Sequence, residues 1–528
     1  MRIKNQPPTV PATPGRKQDK GLLLIQIDGL SNTDLNKALD EGLMPNLKRQ
    51  LQGGALQAGP YQCTQPSQTV VSQSGVLMGL TLPANQWFIK GGDWRMVNPM
   101  GLTSPDEVEH DLQARGDGGI LQGGGKTYTS PLAGGADPKD TYFALSSMAE
   151  RQHKSGFIGL LKGALRDFSH VSWSLLQHPT EVPGSIAHSV HQEVQGYRLQ
   201  RQEFPEKTRR EVAKEEFGSR KVLDGWLDDA CTRSMEKDMH NGVPVLYKDY
   251  EGYDGRNHTY ANNEFSRDSL KQTDKNIAIL LKAAQEAPRK YNVVIYADHG
   301  CCPGVKFEKL NGQSFPDFVS SCMPKDHPQP LKKDDGTQLP PFLTQDIGSG
   351  SNIYFTNTTE ALDRSRINKE YPGTIDKLKD NKYIAFVMTR DGDGTMLEGA
   401  NGSVRIDKDQ KVTVTGENPL AQFGEGDKMA RQLHDMMHRP HQGDICVVGK
   451  ALNDEETVNF GTLPGLHGGL GGNQQAPMIA FAPELGKYIK PEELTDSADL
   501  HQQLLPLLPH DSGLAKRLAA EKVATASA

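Results

Sequence analysis

Short apolar runs alternate with amphipathic segments along this chain. Leu22 to Ile27 is apolar except for Gln26, which is typical of a strand buried on both faces of a sheet. In the next segment, 31–52, leucines recur at helical spacing until Gly53-Gly54, which predicts a helix that ends there. A buried strand, an acid at its end and a following helix are the beginning of an α/β sheet.

The same pattern recurs further along the chain. Residues 293–297 predict a strand preceded by a helix at about 266–284, and 245–250, 445–448 and 478–481 predict further strands. In open α/β sheets, binding sites form at the carboxyl ends of the strands. The pattern therefore predicts a three-layer α/β/α fold with a largely parallel central sheet.

Two long insertions are expected to interrupt this core. One is rich in glycine and then helical, and the other alternates apolar and polar residues at about 384–415, which predicts small β-hairpins. We predict a disordered arm at 1–20, a discontinuous catalytic core at 21–93, 242–306 and 441–510, a cap-like helical insertion at 94–241, a second insertion with β-hairpins at 307–440, and a frayed tail at 511–528.

Composition narrows the possible partners. The 528 residues carry a net charge of −7, so the chain lacks the basic footprint of a protein that binds nucleic-acid polymers. We find no apolar run of membrane-spanning length and no signal peptide at the N-terminus, so a cytoplasmic protein is the default expectation, and export without a signal peptide is the alternative. Six dispersed cysteines without a Cys-x-x-Cys do not predict a disulfide scaffold. Oligomeric state stays open.

Carboxylates and imidazoles are concentrated in four short stretches, three of them next to a predicted strand. The candidate metal ligands are Asp28, Asp254, His258, Asp298, His299 and His467. Oxygen and imidazole ligands together suit zinc or manganese better than calcium. Asp254 and His258 are four residues apart, a spacing that places both on one face of a helical turn.

Hydroxyls in Pro66-Ser67-Gln68-Thr69 add a candidate nucleophile. A hydroxyl beside two divalent ions can attack a phosphate ester. Thr69 competes with Ser67 for this role. A sulfatase-type nucleophile at Cys63 is rejected because the residues after it do not have the required spacing, and Gln68 stands where arginine should be.

Two other patterns are better explained by structure than by metal binding. His434 and His438 are four residues apart but lack an accompanying acid, so we interpret them as a helix-end cluster. Asp391-Gly-Asp-Gly resembles the beginning of a calcium loop but lacks the later glutamate, so we predict a hairpin turn.

Taken in order, the motifs resemble the alkaline phosphatase superfamily, specifically its nucleotide pyrophosphatase/phosphodiesterase branch. The resemblance rests on Ile-Asp-Gly-Leu at 27–30, Met-Pro-Asn-Leu at 44–47, Pro-Ser-Gln-Thr at 66–69 followed by Gly79, Asp-x-x-x-His at 254–258, Asp-His-Gly at 298–300 and His-Gly-Gly at 467–469. After Thr69 the chain has Val-Val-Ser-Gln, which is similar to bacterial relatives with Gln73 and Gly75 rather than to the eukaryotic pattern.

The resemblance implies an alkaline phosphatase-like fold and a role for each candidate. One ion would be held by Asp28, Asp298 and His299, and the other by Asp254, His258 and His467. Thr69 would be the nucleophile and a ligand of the first ion, forming a phosphothreonine, and Asn85 would bind a phosphoryl oxygen. The two divalent cations would be zinc, with manganese or a mixed pair as alternatives.

The expected activity is hydrolysis of a small-molecule phosphate ester or diester. We find no counterpart of the phosphate-binding arginine of the monoesterases, which favours a phosphodiesterase or nucleotide pyrophosphatase. One alternative is a phosphomonoesterase or phosphomutase on the same scaffold. An alternative of another class is a metal-binding protein without turnover.

Overall fold

The structure is a computed structural model that describes residues 19–178, 190, 193–201, 208–210, 221–424 and 426–527. Its strands are β1 (Gly21–Ile27), β2 (Gln57–Pro60), β3 (Trp87–Ile89), β4 (Arg95–Val97), β5 (Lys126–Ser130), β6 (Thr141–Ala144), β7 (Val245–Tyr250), β8 (Tyr291–Tyr296), β9 (Cys302–Lys306), β10 (Phe342–Asp346), β11 (Gly350–Phe355), β12 (Ile384–Asp391), β13 (Gly394–Glu398), β14 (Gly402–Ile406), β15 (Val412–Gly416), β16 (Ile445–Gly449), β17 (Thr457–Asn459), β18 (Gly465–Leu466) and β19 (Met478–Phe481).

Helices connect most of these strands. They are α1 (Asn32–Asp40), α2 (Pro45–Gln52), α3 (Thr69–Met78), α4 (Pro105–Arg115), α5 (Leu145–Leu176), α6 (Lys221–His240), α7 (Gly252–Tyr260), α8 (Glu264–Asp268), α9 (Leu270–Glu286), α10 (Phe307–Asn311), α11 (Phe315–Cys322), α12 (Arg364–Glu370), α13 (Thr374–Lys379), α14 (Gly426–Met437), α15 (Ser497–Leu504) and α16 (Gly513–Ser527).

A seven-stranded sheet of order β2-β19-β8-β1-β7-β5-β6 forms the centre of the fold. β1 pairs in parallel with β7 and β8, and β5 pairs in parallel with β6 and β7, whereas β19 is antiparallel to its neighbours. All seven residues of β1 are buried. Leu23 and Ile25 pack into one hydrophobic core and Leu24 into another, because apolar side chains leave both faces of the sheet. The predicted three-layer α/β/α fold is confirmed.

A second, antiparallel sheet of seven strands has the order β10-β11-β16-β12-β13-β14-β15. The hairpins predicted near 384–415 are present as β12 to β15. The predicted strand at 445–448 is β16, and it belongs to this sheet, where it pairs with β11 and β12 rather than with the central sheet. An apolar run predicts a buried strand but does not specify which sheet buries it.

Two strands of the central sheet come from the segment predicted as the first insertion. β5 and β6 extend the sheet beyond β7, although their sequences, Lys-Thr-Tyr-Thr-Ser and Thr-Tyr-Phe-Ala, lack a long apolar run. Their hydroxyls and aromatic rings suit strands near a sheet edge. The division into domains as a whole stays a prediction.

The predictions for the two chain ends can be compared with the structure to different extents. Most of the arm predicted at 1–20 lies outside the described residues. The tail predicted to fray from 511 instead forms α16, anchored by Leu514, which is fully buried. Small residues such as alanine favour helix when one apolar side chain can dock.

The described residues include no helix that is long and apolar enough to cross a membrane. All six cysteines are buried and unpaired.

Candidate metal centre

The first cluster of predicted ligands lies at the carboxyl edge of the central sheet. Asp28 directly follows β1, and Asp298 and His299 follow the neighbouring strand β8 after one intervening residue. Because parallel strands end at the same edge, the three side chains converge. One ligand atom from each lies within 4.8 Å of the others, and all three residues are buried.

The Nε2 atom of His299 is the centre of this first cluster. It lies 3.4 Å from Oδ1 of Asp28, 3.2 Å from Oδ2 of Asp298, and 3.2 Å from Oγ1 of Thr69. Oδ1 of Asp28 and Oδ2 of Asp298 are buried and have no hydrogen-bond donor. Buried carboxylate oxygens without donors are costly unless a cation approaches them, so this donor set fits a divalent ion.

The second cluster comes from a helix and a glycine-rich loop. Asp254 and His258 lie on one face of α7, with Nε2 of His258 3.1 Å from Oδ2 of Asp254. His467 follows β18, and its ligand atom lies within 4.8 Å of those of the other two residues. The structure thus brings together all six predicted ligands, in the two groups that the resemblance implies.

Backbone carbonyls orient the three imidazoles. Nδ1 of His258 lies 3.1 Å from the carbonyl oxygen of Gly465, Nδ1 of His299 3.2 Å from that of Gly300, and Nδ1 of His467 2.9 Å from that of Ser67. If Nδ1 carries the hydrogen in each ring, its Nε2 lone pair is left for a metal, as in most histidine metal sites. The rings of His299 and His467 stack with their centroids 3.7 Å apart, so the two clusters are in direct contact.

The first cluster has more negative than positive charge. Burial and the neighbouring Asp298 raise the pKa of Asp28 well above its usual range, and burial and Asp254 raise the pKa of Asp298 to about 6. Burial also lowers the pKa of His299 to about 4 and that of His467 to about 3, so these imidazoles are neutral near pH 7. Neutral rings are the form that divalent ions require of histidine ligands, and the raised pKa values of the carboxyls reflect a crowding of negative charge that a bound cation would relieve.

Asp254 and His258 behave as an ion pair. Burial acts to raise the pKa of Asp254, but the adjacent His258 outweighs it, and the pKa lies well below its usual value. Burial acts to lower the pKa of His258, but Asp254 overcomes this effect and raises the pKa to about 9. A cation that binds here must therefore displace the proton of His258.

Thr69 is the first residue of α3 and is only 4% exposed. Its hydroxyl lies at a helix N-terminus, where backbone N–H groups and the helix dipole favour anionic oxygen atoms. Asn85 is next to it: the side-chain oxygen of Asn85 accepts from the backbone N–H of Val70 at 3.0 Å, and its backbone N–H donates to the side chain of Gln68 at 2.8 Å. The predicted nucleophile and the predicted phosphoryl-binding amide are thus neighbours.

Gly29 allows the two clusters to approach each other. Its backbone N–H donates to Oδ1 of Asp298 at 3.2 Å, and its φ is +74°. A Cβ atom at this position would lie 2.8 Å from Oδ1 of Asp254. A side chain here would therefore be strained and would push the carboxylates apart.

Two supporting side chains had not been predicted for these roles. Ser67, which had been weighed as a rival nucleophile, accepts from the N–H of Gly468 at 3.0 Å and donates to the carbonyl of Gly469 at 3.2 Å, so it holds the His467 loop. Cys301 donates its thiol hydrogen to Oδ1 of Asp254 at 3.0 Å. The one available signal for Cys301 was its position two residues after His299.

The residues of the two patterns that had been interpreted as structural make contacts away from the metal centre. Nδ1 of His434 lies 2.9 Å from the hydroxyl of Thr395, and Nε2 of His438 lies 3.1 Å from the carbonyl of Gly394. Asp391 ends β12 at the turn to β13, and its carboxylate accepts from Arg405 at 2.8 Å, so the predicted hairpin is confirmed.

Comparisons with known proteins give similarity to solved structures alone. No protein-family model matches the chain, and no curated protein matches it. Phosphonoacetate hydrolase from Sinorhizobium meliloti 1021, in complex with phosphonoformate, aligns with a TM-score of 0.46 and 15% identity over 92% of this chain and 95% of that one. Murine ectonucleotide pyrophosphatase/phosphodiesterase 5, in complex with AMP, aligns with a TM-score of 0.42 and 11% identity over 93% of this chain and 95% of that one.

Proposed function

We propose that this protein is a metal-dependent phosphoester hydrolase with Thr69 as its nucleophile, acting on phosphodiesters or pyrophosphates in preference to monoesters. The observation that carries the proposal is the distance of 3.2 Å between Oγ1 of Thr69 and Nε2 of His299, at the centre of a buried carboxylate–imidazole cluster. A structural threonine would not need six converging metal-type ligands beside its hydroxyl.

The ligand groups divide into two sites of three residues. Asp28, Asp298 and His299 would hold one divalent ion, and Asp254, His258 and His467 would hold the other. When bound, such ions would supply Lewis-acid activation of the hydroxyl and neutralisation of charge on the phosphoryl oxygens. Carboxylate oxygen and imidazole nitrogen suit zinc, and manganese or a mixed pair are the alternatives.

The side chains of this chain then have separate tasks. Oγ1 of Thr69 loses its proton and forms a bond to phosphorus, while the ester oxygen leaves and takes up a proton, which gives a phosphothreonine. Water then breaks the phosphorus–Oγ1 bond, restores the hydroxyl and releases the phosphoryl product. The amide nitrogen of Asn85 and the N-terminus of α3 would donate hydrogen bonds to phosphoryl oxygens.

The charges around the site support a preference for diesters. In the described part of the chain, the hydrogen bonds and ion pairs of the six ligands involve carboxylates, imidazoles, a hydroxyl, a thiol and backbone groups, with no lysine or arginine. Monoester dianions benefit from a bidentate arginine. A diester monoanion carries less charge and needs no such partner.

A rate comparison tests the proposal against its rivals. Protein loaded with zinc or manganese is assayed with bis(4-nitrophenyl) phosphate, 4-nitrophenyl phosphate, a dinucleoside pyrophosphate and phosphonoacetate. We expect the diester or the pyrophosphate to be hydrolysed fastest. Faster monoester turnover would favour the phosphomonoesterase or phosphomutase alternative, and a loaded protein inert to all four would favour a metal-binding protein without turnover.

A further inference from the structure

The second part of helix α5 carries an exposed apolar face. The helix is interrupted at Ser155 and Gly156, where the backbone is not helical, so 157–176 form a separate helical segment. In the described part of the chain, six of the thirteen large apolar side chains that are exposed lie on this segment. They are Phe157, Ile158, Leu161, Leu165, Phe168 and Trp173, each between 46% and 74% exposed. Such a concentration of apolar side chains marks an interaction surface.

Four of these side chains follow the spacing of a coiled-coil interface. Ile158, Leu161, Leu165 and Phe168 are separated by three, four and three residues, so they occupy alternating a and d positions of a heptad repeat. Residues at these spacings lie next to one another on one face of a helix. We call these four residues the α5 seam. Phe157 directly precedes the seam and extends its apolar surface.

A different face attaches this segment to the rest of the protein. Asp167 accepts from the guanidinium of Arg151 at 2.9 Å and from a backbone N–H of β6 at 3.2 Å, and Val171 is fully buried in a hydrophobic core of the central sheet. Phe168 stacks on Trp226 of α6 with ring centroids 5.0 Å apart and still keeps nearly half of its surface exposed. A helix that has apolar residues on a second face is expected to bury that face as well.

The exposed area matches what one partner contributes to a stable interface. The six side chains present roughly 700 Å² of apolar surface. The largest apolar patch of a typical monomer is only about 300–600 Å². A standard protein–protein interface buries about 800 Å² on each partner. This face of α5 therefore supplies most of the area that one subunit of a dimer needs.

A second copy of the same segment complements the α5 seam. In a dimer with two-fold symmetry, both chains use the same patch, and helices that pack across a perpendicular two-fold axis run antiparallel. With the axis at the midpoint of the seam, near residue 163, Leu161 faces the partner's Leu165, and Ile158 faces the partner's Phe168. Every contact along the seam then joins two apolar side chains, so the seam is complementary to itself.

An anionic lipid surface is the rival occupant, because cations border the seam. These are Lys154, Lys162 and Arg166. Lys154 donates to Glu150 at 2.5 Å, and Arg166 donates to Asp167 at 2.8 Å. Helices that anchor to anionic lipid have clusters of cations whose charge is not cancelled by neighbouring acids. Two of the three cations here are paired within the chain, which favours a protein partner over lipid.

We propose that the α5 seam is the centre of a homodimer interface in which α5 of two copies packs antiparallel across a two-fold axis. The interface lies in the segment predicted as a cap-like insertion at 94–241. The seam contains none of the predicted metal ligands, and its side chains are exposed in one copy. The inference is therefore independent of the proposed function.

Sedimentation velocity of the full-length protein between about 0.1 and 100 µM tests the dimer. Wild type is expected to have twice the mass of one chain at the upper end of this range. Leu161→Glu and Leu165→Lys each place a charge in the seam and should raise the dissociation constant of the dimer at least about 100-fold. Val414→Glu, which adds a charge at an exposed apolar position of β15, is the matched control and should dimerise as wild type does.

Two results would overturn the inference. One is a wild type that keeps the mass of one chain throughout the range, and the other is a pair of seam variants that dimerise as wild type does. Circular dichroism and metal content should be unchanged in both seam variants, because the substituted side chains are exposed in one copy. If Leu161→Glu does not fold, Leu165→Lys decides.

The double variant Leu161→Glu/Leu165→Lys tests the antiparallel orientation. In an antiparallel pair, the introduced carboxylate of each copy faces the introduced ammonium of the other, so the dissociation constant should fall at least about tenfold below that of either single variant. In a parallel pair, like charges would face each other. A double variant that dimerises no better than the single variants contradicts the proposed packing.

Vesicles distinguish the two occupants. Wild type is sedimented with vesicles of phosphatidylcholine and phosphatidylserine in equal amounts. Dimeric protein that stays in the supernatant supports the inference. Protein of one-chain mass that sediments with the vesicles, and that loses this binding in Leu161→Glu, would overturn the dimer in favour of a lipid surface.

Discussion

The two ligand clusters of the candidate metal centre differ in origin and in exposure. Asp28, Asp298 and His299 extend from adjacent parallel strands, and their side chains are 5%, 0% and 0% exposed. The second cluster comes from α7 and a glycine-rich loop, and the side chain of His258 is 28% exposed. The first cluster contains two carboxylates and one imidazole, and the second has the reverse ratio.

This difference indicates different roles for the two sites. The first is built into the sheet core, its carboxylate oxygens lack donors, and it contains the nucleophile candidate. The second is satisfied in part without metal, because Asp254 and His258 pair with each other. We therefore expect the first site to hold its ion more tightly, and the second to be the side from which solvent and ion exchange.

Removal of the nucleophile should have the largest effect. Thr69→Ala is expected to lower kcat by at least about 1,000-fold, because the hydroxyl that attacks phosphorus is gone. Thr69→Ser keeps the hydroxyl and should retain measurable turnover. Both variants should bind the same number of ions as wild type. Turnover by Thr69→Ala near the wild-type rate would show that another group attacks.

Ligand substitutions should separate the two sites. Asp298→Asn is expected to weaken the tighter ion by more than about 100-fold, because a buried carboxylate ligand is lost. His258→Gln should weaken the other ion and leave the tighter one in place. Competition with a chelator of known affinity measures both. If His258→Gln released the tighter ion, the assignment of strengths would be reversed.

The thiol beside Asp254 should have a smaller effect. Cys301→Ala removes the donor to Oδ1 of Asp254 and is expected to reduce metal affinity at the second site by about tenfold or less. Cys302→Ala is the matched control, since its buried sulfur lies 3.5 Å from the hydroxyl of Thr457. The same titration in both variants checks this, and equal effects would show that Cys301 has no specific role.

The pH dependence of stability should be the smallest of these effects, and it is expected in metal-free protein. The pKa of His258 is raised to about 9, so its stabilising pair with Asp254 is fully present below its unfolded pKa near 6.5 and is lost as pH rises through 9. The raised pKa of Asp28 also lowers stability as pH rises above the unfolded pKa of an aspartate. Below the unfolded histidine pKa near 6.5, the lowered pKa values of His299 and His467 increase the free energy of unfolding as pH rises. The raised pKa of carboxyls such as Asp298 has the opposite effect.

Urea unfolding at pH 6.5 and 9 measures this effect. We expect metal-free wild type to lose more free energy of unfolding between these values than metal-free His258→Gln does. Other groups that titrate in the window contribute equally to both proteins and cancel in the comparison. The same loss in both proteins would contradict the ion pair.

The sequence predicted the parallel sheet and the placement of Asp28 and Asp298 at strand ends because both follow from local rules. An apolar run that ends in Asp28 and another that leads to Asp298 predict two acids at the carboxyl edge of a sheet, whereas the grouping of these two residues with His299 was implied by the resemblance. The spacing of Asp254 and His258 likewise predicted one helical face, and α7 has it. For these residues, a few neighbouring positions in the sequence are enough to predict the local geometry.

Pairing between segments that are far apart in the sequence could not be predicted from the same local patterns. β16 has a strand pattern, but its position in the second sheet depends on pairing with β11 and β12, which are distant along the chain. β5 and β6 have too few apolar residues to be recognised as strands of the central sheet. The contact of Cys301 with Asp254 also depends on tertiary packing, and so no short motif predicts it.

Anomalous diffraction from crystals of zinc- or manganese-loaded protein tests the central claim most directly. The account predicts two anomalous peaks about 4 Å apart, one among Asp28, Asp298, His299 and Thr69, and the other among Asp254, His258 and His467. A loaded crystal with no peak between these side chains, or with its peaks elsewhere on the molecule, would contradict it.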